Sequence, residues 1–528
     1  MRERVTRAAR LLRIAAIAVS TLAVSSAQVS RSGGEGAALD AAAANAAAAT
    51  YRELIDLLSI PNVSVMSAPD MQRNAAFLDA AFQKRGFKTT LWPNNGRPVI
   101  FAELPNANPA RKTVLFYMHM DGQPVVASEW DQHGPFEPAL KRKTADGDWQ
   151  TLPLDRLFGP DVDPEWRIFA RSAGDDKGPI VMFLAAVDAM RAIGREPAIN
   201  VKVILDPEEE SGGARGFRSF IAERQALLAS DGLVVFDGPQ GEDNRPLFSF
   251  GFRGGATVQL TVFGPRSEVH SGNYGNYAPN PMQRLARLVG SMKDDDGRVT
   301  IPGFYDAVTI DADTSRLLAA APDEESALNE RLGIAAREKV GRNLREALMY
   351  PTLTLTRMVG GSLDKDGKLV PFAGAVIPAV AVATIAIRTV PETPAAYLRD
   401  VFTKYVASQG YQLVAGQPTD EERCRFRNLA ALTVSGNPGV RSGGPSDPLG
   451  VWLRRASRKA FGAEANVAPM LGASLPIDAA IQALKVPFVI APLANGDDNQ
   501  HAANENLRLG NYLAGVKSIL YDLLEPVE

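Results

Sequence analysis

His119-Met-Asp121 closes the apolar run Thr113-Val-Leu-Phe-Tyr-Met118. A strand that delivers a histidine and a carboxylate two residues apart to its C-terminal end has the parts of a metal site. The carboxylate can hydrogen-bond one imidazole nitrogen, fix the tautomer and aim the other nitrogen at a cation. Alone the triplet is weak, because a His-x-Asp after a strand is more often the polar start of a loop. Four further clusters change its weight. Ser172-Ala-Gly-Asp175-Asp176-Lys177-Gly178 precedes a helical stretch, and Asp206-Pro-Glu208-Glu209-Glu210-Ser211-Gly212 follows the apolar run ending at Leu205. Asp237 follows Leu233-Val-Val-Phe236, and His501 sits in Asp497-Asp-Asn-Gln-His501-Ala-Ala-Asn504-Glu505, soon after Val486–Ile490. Each has a plain explanation: carboxylates before a helix are favourable N-terminal charges, and acidic runs are usually solvated. Five at one edge of one sheet do not look like solvated faces.

Two histidines and three carboxylates without a thiolate suit zinc, and also manganese or cobalt. One carboxylate can bridge two ions held ~3.5–4 Å apart, the spacing used in two-metal hydrolysis. A spare glutamate must then deprotonate the attacking water.

The elements that must position these residues follow from hydrophobic periodicity. From Tyr51 onward, apolar runs predict strands at Val99–Leu104, Thr113–Met118, Asn200–Leu205 and Leu233–Phe236. Helical periodicity covers Met71–Arg85, Gly178–Ile193 and Ala214–Leu228. This alternation implies an α/β fold with a doubly wound, mostly parallel sheet, which places ligands at the carboxyl ends of its strands. A different texture starts near Gly251. Ala256–Phe263 and Ala379–Ile387 alternate like half-buried strands, Pro281–Met292 and Thr393–Gln409 read as helices, and Tyr411–Val414 as a short strand. This is the pattern of an inserted α+β domain, with a charged helical segment at residues 322–350. Parallel-sheet texture resumes near Pro445, with a helix at Leu449–Phe461, a strand at Val486–Ile490 and a closing helix over Asn504–Leu524. The division is a catalytic domain in two parts, 51–252 and 419–528, around an insert at 253–418.

The chain has 528 residues, which calls for at least two domains. Its net charge of −3 gives no reason to expect nucleic acid or an anionic membrane as partner. One cysteine, Cys424, excludes an internal disulfide and a cysteine-based metal site. Residues 1–27 have a basic start, a short apolar run from Ile14 to Val24 and small residues at Ser25-Ser26-Ala27, the pattern of a cleavable signal peptide. The apolar run is too short to span a bilayer comfortably, and no cysteine follows it to carry a lipid, so no stable membrane anchor is expected. Periplasmic or secreted location follows. Residues 28–50, rich in alanine, are expected to be a linker.

Taken together, the clusters resemble the di-zinc exopeptidase and amidohydrolase family of glutamate carboxypeptidases, carnosinase-type dipeptidases, aminoacylases and succinyl-diaminopimelate desuccinylases. The resemblance covers nearly all of the chain after the leader, and is nearest to the dipeptidase branch. His119-Met-Asp121-Gly-Gln-Pro-Val, the loop Trp130…Pro135-Phe136-Glu-Pro138 and Asp175-Asp-Lys-Gly-Pro179 carry it. It implies that His119 and Asp237 hold one zinc and Glu210 and His501 the other. Asp175 would bridge them, in a loop where the family has a cis peptide to the next residue. Asp121 would orient His119, and Glu209 would be the general base acting on a water between the metals.

The insert resembles the family's lid and dimerisation domain. Its Glu268-Val-His270-Ser271-Gly272 matches a histidine that reaches into the active site of a partner in a homodimer and steadies the oxyanion. A turn histidine before Ser-Gly is the ordinary alternative. Arg388 matches a lid arginine that binds a substrate carboxylate through both oxygens, and equally suits a sheet edge. Gly472-Ala473-Ser474-Leu475-Pro476 matches a Gly-Gly-Ser-Ile-Pro loop that contacts substrate, which brings Gly472 and Ser474 into the site. Two departures touch recognition: Met470-Leu471 stand where dipeptidase relatives often carry polar residues, and Ala473 replaces a glycine. His133 falls in none of these motifs and is read as a loop residue.

The expected activity is hydrolysis of an amide bond next to a free carboxylate in dipeptides or short peptides. An N-acyl amino acid deacylase is the alternative with the same chemistry. An inactive peptide-binding relative is a third reading, opposed by a competent residue at Glu209 and at every ligand position.

Overall fold

The structure is a computed structural model that describes residues 34–528 apart from 106, 213–214, 242, 322–324, 365, 367 and 373. The signal peptide read at 1–27 lies outside the described residues. The chain divides into two compact units. The first comprises Met1–Phe248, Pro445–Asn466 and Ala479–Glu528, and the second Ser249–Gly444 and Val467–Asp478.

The first unit is built on a sheet whose strands within the unit run in the order Lys88–Trp92, Val99–Glu103, Asn200–Asp206, Thr113–His119, Gly232–Val235, Phe488–Ile490. Four neighbours, from Asn200–Asp206 to Phe488–Ile490, run parallel. The first two strands are antiparallel. Thr113–His119 lies between two parallel partners and is buried from Val114 to His119, which is why it reads as a continuous apolar run. Successive side chains point to opposite faces. Phe116 packs on Phe183 of the helix Lys177–Ala192, while Tyr117 packs on Phe217 of the helix Arg215–Glu223. The sheet is thus covered by helices on both sides, as a doubly wound architecture requires. The closing helix Leu509–Leu524 packs along Lys177–Ala192.

Three features of this unit differ from the sequence reading. Much of the alanine-rich stretch is a helix, residues 34–58, rather than a linker over 28–50. Alanine is the best helix former, and Ala43, Ala47, Leu54, Leu57 and Leu58 are buried on one face. The closing helix begins at Leu509, because Asn506–Arg508 is a strand paired with Arg167–Phe169. That pair belongs to a second, four-stranded antiparallel sheet with Ala139–Lys143 and Trp149–Leu152. Its strands are short, three of them carry basic residues, and none has an alternation strong enough to read.

The second unit is α+β. Its six-stranded sheet runs Leu369–Pro371, Thr354–Leu363, Val380–Thr389, Gly254–Phe263, Leu429–Asn437, Gln412–Leu413. The helices Pro281–Gly290 and Ala395–Ser408 pack on it over a core that includes Val258, Leu260, Leu285, Ile385, Leu398 and Phe402. The division falls at 444/445 rather than 418/419, because Leu429–Asn437 pairs along its length with Gly254–Phe263. The segment read as helical over 322–350 contains two short helices, Glu325–Leu332 and Leu344–Ala347, and Ala312–Ala319 precedes it. It is tied to the unit from within. The Arg253 guanidinium donates to the carbonyls of Ala347, Leu348 and Tyr350 at the end of the last short helix. Leu318 and Met349 pack with Val390 and Met470. Among the described residues, no helix is long and apolar enough to cross a membrane.

Candidate metal centre

All seven residues assigned to the metals, the base and the orienting carboxylate lie in the first unit. His119 and Asp206 end two adjacent parallel strands, and Asp237 and Glu209 follow strand ends by a few residues. His119 is fully buried. Its Nε2 lies 2.7 Å from Asp175 Oδ1. The other oxygen of Asp175, Oδ2, lies 3.1 Å from His501 Nε2, and that nitrogen is 3.2 Å from Glu210 Oε2. One carboxylate therefore serves two imidazoles, one oxygen each. The ligand atoms form two groups that share Asp175: His119, Asp175 and Asp237, and Asp175, Glu210 and His501, each set within 4.8 Å. A third group, His119, Glu209 and Glu210, places Glu209 at the same spot. The Asp175–Asp176 peptide is cis.

Asp121 is buried, but its part differs from the expectation. The nearest acceptor to His119 Nδ1 is the backbone carbonyl of Asp121, at 3.2 Å, with Oδ1 at 3.5 Å. The carboxylate itself accepts the backbone N–H groups of Glu209 (3.0 Å) and Glu210 (3.2 Å), and the Ser64 hydroxyl (3.0 Å). Asp121 thus orients the ring mainly through its main chain and fixes the 209–211 turn through its side chain.

The electrostatics fit divalent cations. Burial, reinforced by Asp175, pushes the Asp237 carboxyl up to about 7. Burial also holds Glu209 well above the usual carboxylate range, with Asp237 and Glu210 adding to it. Burial opposes a charge on His119, but Asp175 and Asp121 outweigh it and raise its affinity for a proton. Hydrogen bonds to Asp175 and Glu210 push His501 up to about 10. Asp175, although buried, is held far below the usual range by His119 and His501. Crowded carboxylates of this kind are neutralised either by protons or by cations, so metal binding releases protons. Asp237 Oδ2 is buried with no hydrogen-bond partner among the described residues, which suits an atom meant for a cation. The donor set, imidazole and carboxylate without thiolate, suits zinc, manganese or cobalt.

Further residues support the centre without having been singled out. Gln123 Nε2 donates to Glu210 Oε2 at 2.7 Å, and Gln500 Nε2 donates to Asp175 Oδ2. Asn62 Nδ2 donates to the Met120 carbonyl and to Ser172 Oγ, both at 2.9 Å. Glu505 accepts hydrogen bonds from the loop that carries Asp175. Both glutamines stand in quoted motifs, but asparagines, serines and glutamates of this kind are common in loops. Only the fold brings them here.

The substrate-binding candidates lie in the second unit. Arg388 ends the strand Val380–Thr389, and its Nη1 donates to Ser474 Oγ at 2.8 Å, so these two are brought together. Both are exposed, and Gly472 is half-buried beside Leu348. Met470 is a buried core residue, so its departure from a polar type serves packing. His270 is exposed, and its Nδ1 accepts the Gly272 N–H at 3.0 Å. In the neutral ring this leaves the proton on Nε2 as a donor. His133 is exposed.

The sequence model of the peptidase family M20/M25/M40 matches residues 115–525. The chain belongs to this family. It is a metal-dependent peptidase. It is 28% identical over 483 residues to the Cys-Gly metallodipeptidase dug1 of Schizosaccharomyces pombe, covering 87% of this chain and 92% of that one. The Beta-Ala-His dipeptidase of Homo sapiens is 26% identical over 449 residues, 82% of this chain and 78% of its own. Among solved structures, human carnosine dipeptidase 1 has the same fold, with a TM-score of 0.64 at 22% identity over 92% of this chain and 98% of that one.

Proposed function

We propose that this peptidase hydrolyses dipeptides or short peptides at an amide bond next to a free carboxylate, at a centre of two zinc ions. The observation that carries the reading is Asp175, whose two oxygens face two separate ligand pairs with Glu209 buried beside them. His119 and Asp237 would hold one ion, Glu210 and His501 the other, and Asp175 both. Manganese or cobalt would suit the same donors. Two divalent ions there supply the Lewis acidity that makes water a nucleophile at neutral pH and polarises the scissile carbonyl. Glu209 takes the proton from the attacking water and passes it to the leaving amine. Its burial raises its proton affinity, which suits a group that must both accept and return a proton. Arg388, which donates to Ser474, binds the substrate carboxylate, with Gly472 in the same substrate-contacting loop as Ser474. His270 is lent to the site of a second copy in a homodimer formed through the second unit, where its Nε2–H steadies the oxyanion. Asp121 keeps His119 and the Glu209 turn in register. Similarity to a Cys-Gly metallodipeptidase and a Beta-Ala-His dipeptidase supports dipeptides as substrates. Residues 1–27 would direct export to a periplasm or beyond.

A mixed panel of dipeptides and N-acyl amino acids, read by mass spectrometry, tests the substrate class. Amino acids released from dipeptides support the reading. Release from N-acyl amino acids alone would move it to a deacylase. Binding of metal with turnover of neither would defeat both.

A further inference from the structure

Glu505 lies four residues beyond His501 in sequence and is fully buried. Its carboxylate is filled by donors on both oxygens. Oε1 accepts the backbone N–H groups of Gly174 and Asp175, both at 3.0 Å. Oε2 accepts the Ser172 N–H at 2.9 Å and Arg171 Nη1 at 2.7 Å. Three main-chain N–H groups of one short loop thus converge on one carboxylate, an anion nest built from the chain itself. The loop is an unusual one: Ser172 has a φ of +64°. Its last member, Asp175, is the residue whose two oxygens face His119 and His501. Arg171 closes the other side, since its Nη2 donates to the carbonyl of Ala502, next to His501. The main chains join as well, with Ala170 N–H donating to the Glu505 carbonyl at 3.1 Å. Two loops more than 300 residues apart in sequence, one carrying Asp175 and one carrying His501, are pinned together by the Arg171–Glu505 pair.

We propose that Glu505 is the positioning residue of the paired metal centre: by templating the 172–175 loop and tying it to the His501 loop, it sets how tightly both ions are held. Every group on this carboxylate is a donor, so only an acceptor on both oxygens fits. Glutamine keeps one oxygen and turns an NH2 group towards one of the two donor pairs. Outer partners of metal ligands typically govern affinity by about 10–100-fold. Glu505 acts on the shared ligand, so its loss weakens both ions together.

The inference rests on the reading of His119, Asp175, Glu210, Asp237 and His501 as metal ligands. The test is zinc affinity of purified wild-type and Glu505→Gln proteins, measured by competition with a chromogenic chelator well below their melting temperatures. Dipeptide hydrolysis is followed as zinc is raised. The expected result is a roughly 10–100-fold loss of zinc affinity in the variant, with hydrolysis that lags at limiting zinc, recovers at high zinc and keeps its KM for the dipeptide. A folded variant that melts earlier but binds zinc as tightly as wild type would overturn the proposal, since a merely structural role predicts that pattern. Should Glu505→Gln fail to fold, Arg171→Met carries the test, because it leaves the backbone nest in place and removes the side-chain bonds from Arg171 to Glu505 and to the Ala502 carbonyl. A several-fold loss of zinc affinity there supports the proposal, and unchanged affinity overturns it. Wild-type protein that binds no zinc would defeat the metal-centre reading itself, an outcome distinct from either.

Discussion

At Asp175 a single side chain does what no single-site ligand can: each oxygen meets a different imidazole. The assignments around it make sharp demands on single residues. Glu209→Gln should retain both ions and lose turnover by about 10²–10⁴-fold, the usual worth of a general base. Metal analysis beside a hydrolysis assay checks both halves, and a variant with normal turnover would remove Glu209 from its role. The raised carboxyls set a pH dependence. Asp237 is pushed up to about 7, and a ligand must be ionised to hold a cation. Below that pH a proton on Asp237 competes with the metal; above it that carboxylate is ionised, although His501, pushed up to about 10, still gives up a proton to its ion. Metal affinity and kcat/KM should therefore fall as pH drops through about 7, and a chelator competition on either side of that value reads the change. Of the candidate ligands, His119, Glu210 and Asp237 were legible because each stands at, or just beyond, the end of a strand whose apolar run is plain in the sequence, whereas Asp175 and His501 were legible only through the loop motifs that carry them. Ser64, Asn62 and Glu505 were not legible. Their value comes from donors and acceptors that only folding brings near, and each alone is an ordinary loop residue.

At the scale of elements, the parallel strands were readable because burial on both faces leaves an unbroken apolar run. The four-stranded sheet around Arg167–Phe169 was not, since Ala139–Lys143 is largely basic and its Lys141 side chain is buried over the Phe169 ring. The alanine-rich stretch, expected as a linker, is helical from residue 34 because alanine at this density favours a helix. Leu54 in that helix is fully buried. Leu54→Ala should therefore cost ~2–5 kcal/mol, as truncation of a buried leucine does elsewhere. Denaturant unfolding measures it, and a cost near zero would mean that the helix does not dock. The charged segment near 322–350 has a structural role that the sequence hid. Leu348 beside Gly472 and Met349 beside Met470 brace the loop that carries Gly472 and Ser474 from within the second unit.

At the scale of the whole molecule, one unit carries every metal-centre residue, and the other carries His270, Arg388, Gly472 and Ser474. In the proposed homodimer, exchange of His270 would make turnover depend on a second copy. His270→Ala should lower turnover by about 10²-fold or more while leaving the metals bound, as loss of an oxyanion donor does in other hydrolases. Mixing it with Glu209→Gln protein should restore part of the activity, because a mixed dimer then contains one intact site. No recovery, in protein shown by light scattering to be dimeric, would place His270 outside its partner's site. The central claim is the paired centre itself, and its most direct test is a zinc titration of chelator-stripped protein with dipeptide hydrolysis recorded at each addition. Two ions sharing Asp175 predict activity that rises to a plateau at about two zinc per chain. Full activity at one ion per chain, or zinc bound to saturation without hydrolysis of any dipeptide, would contradict it.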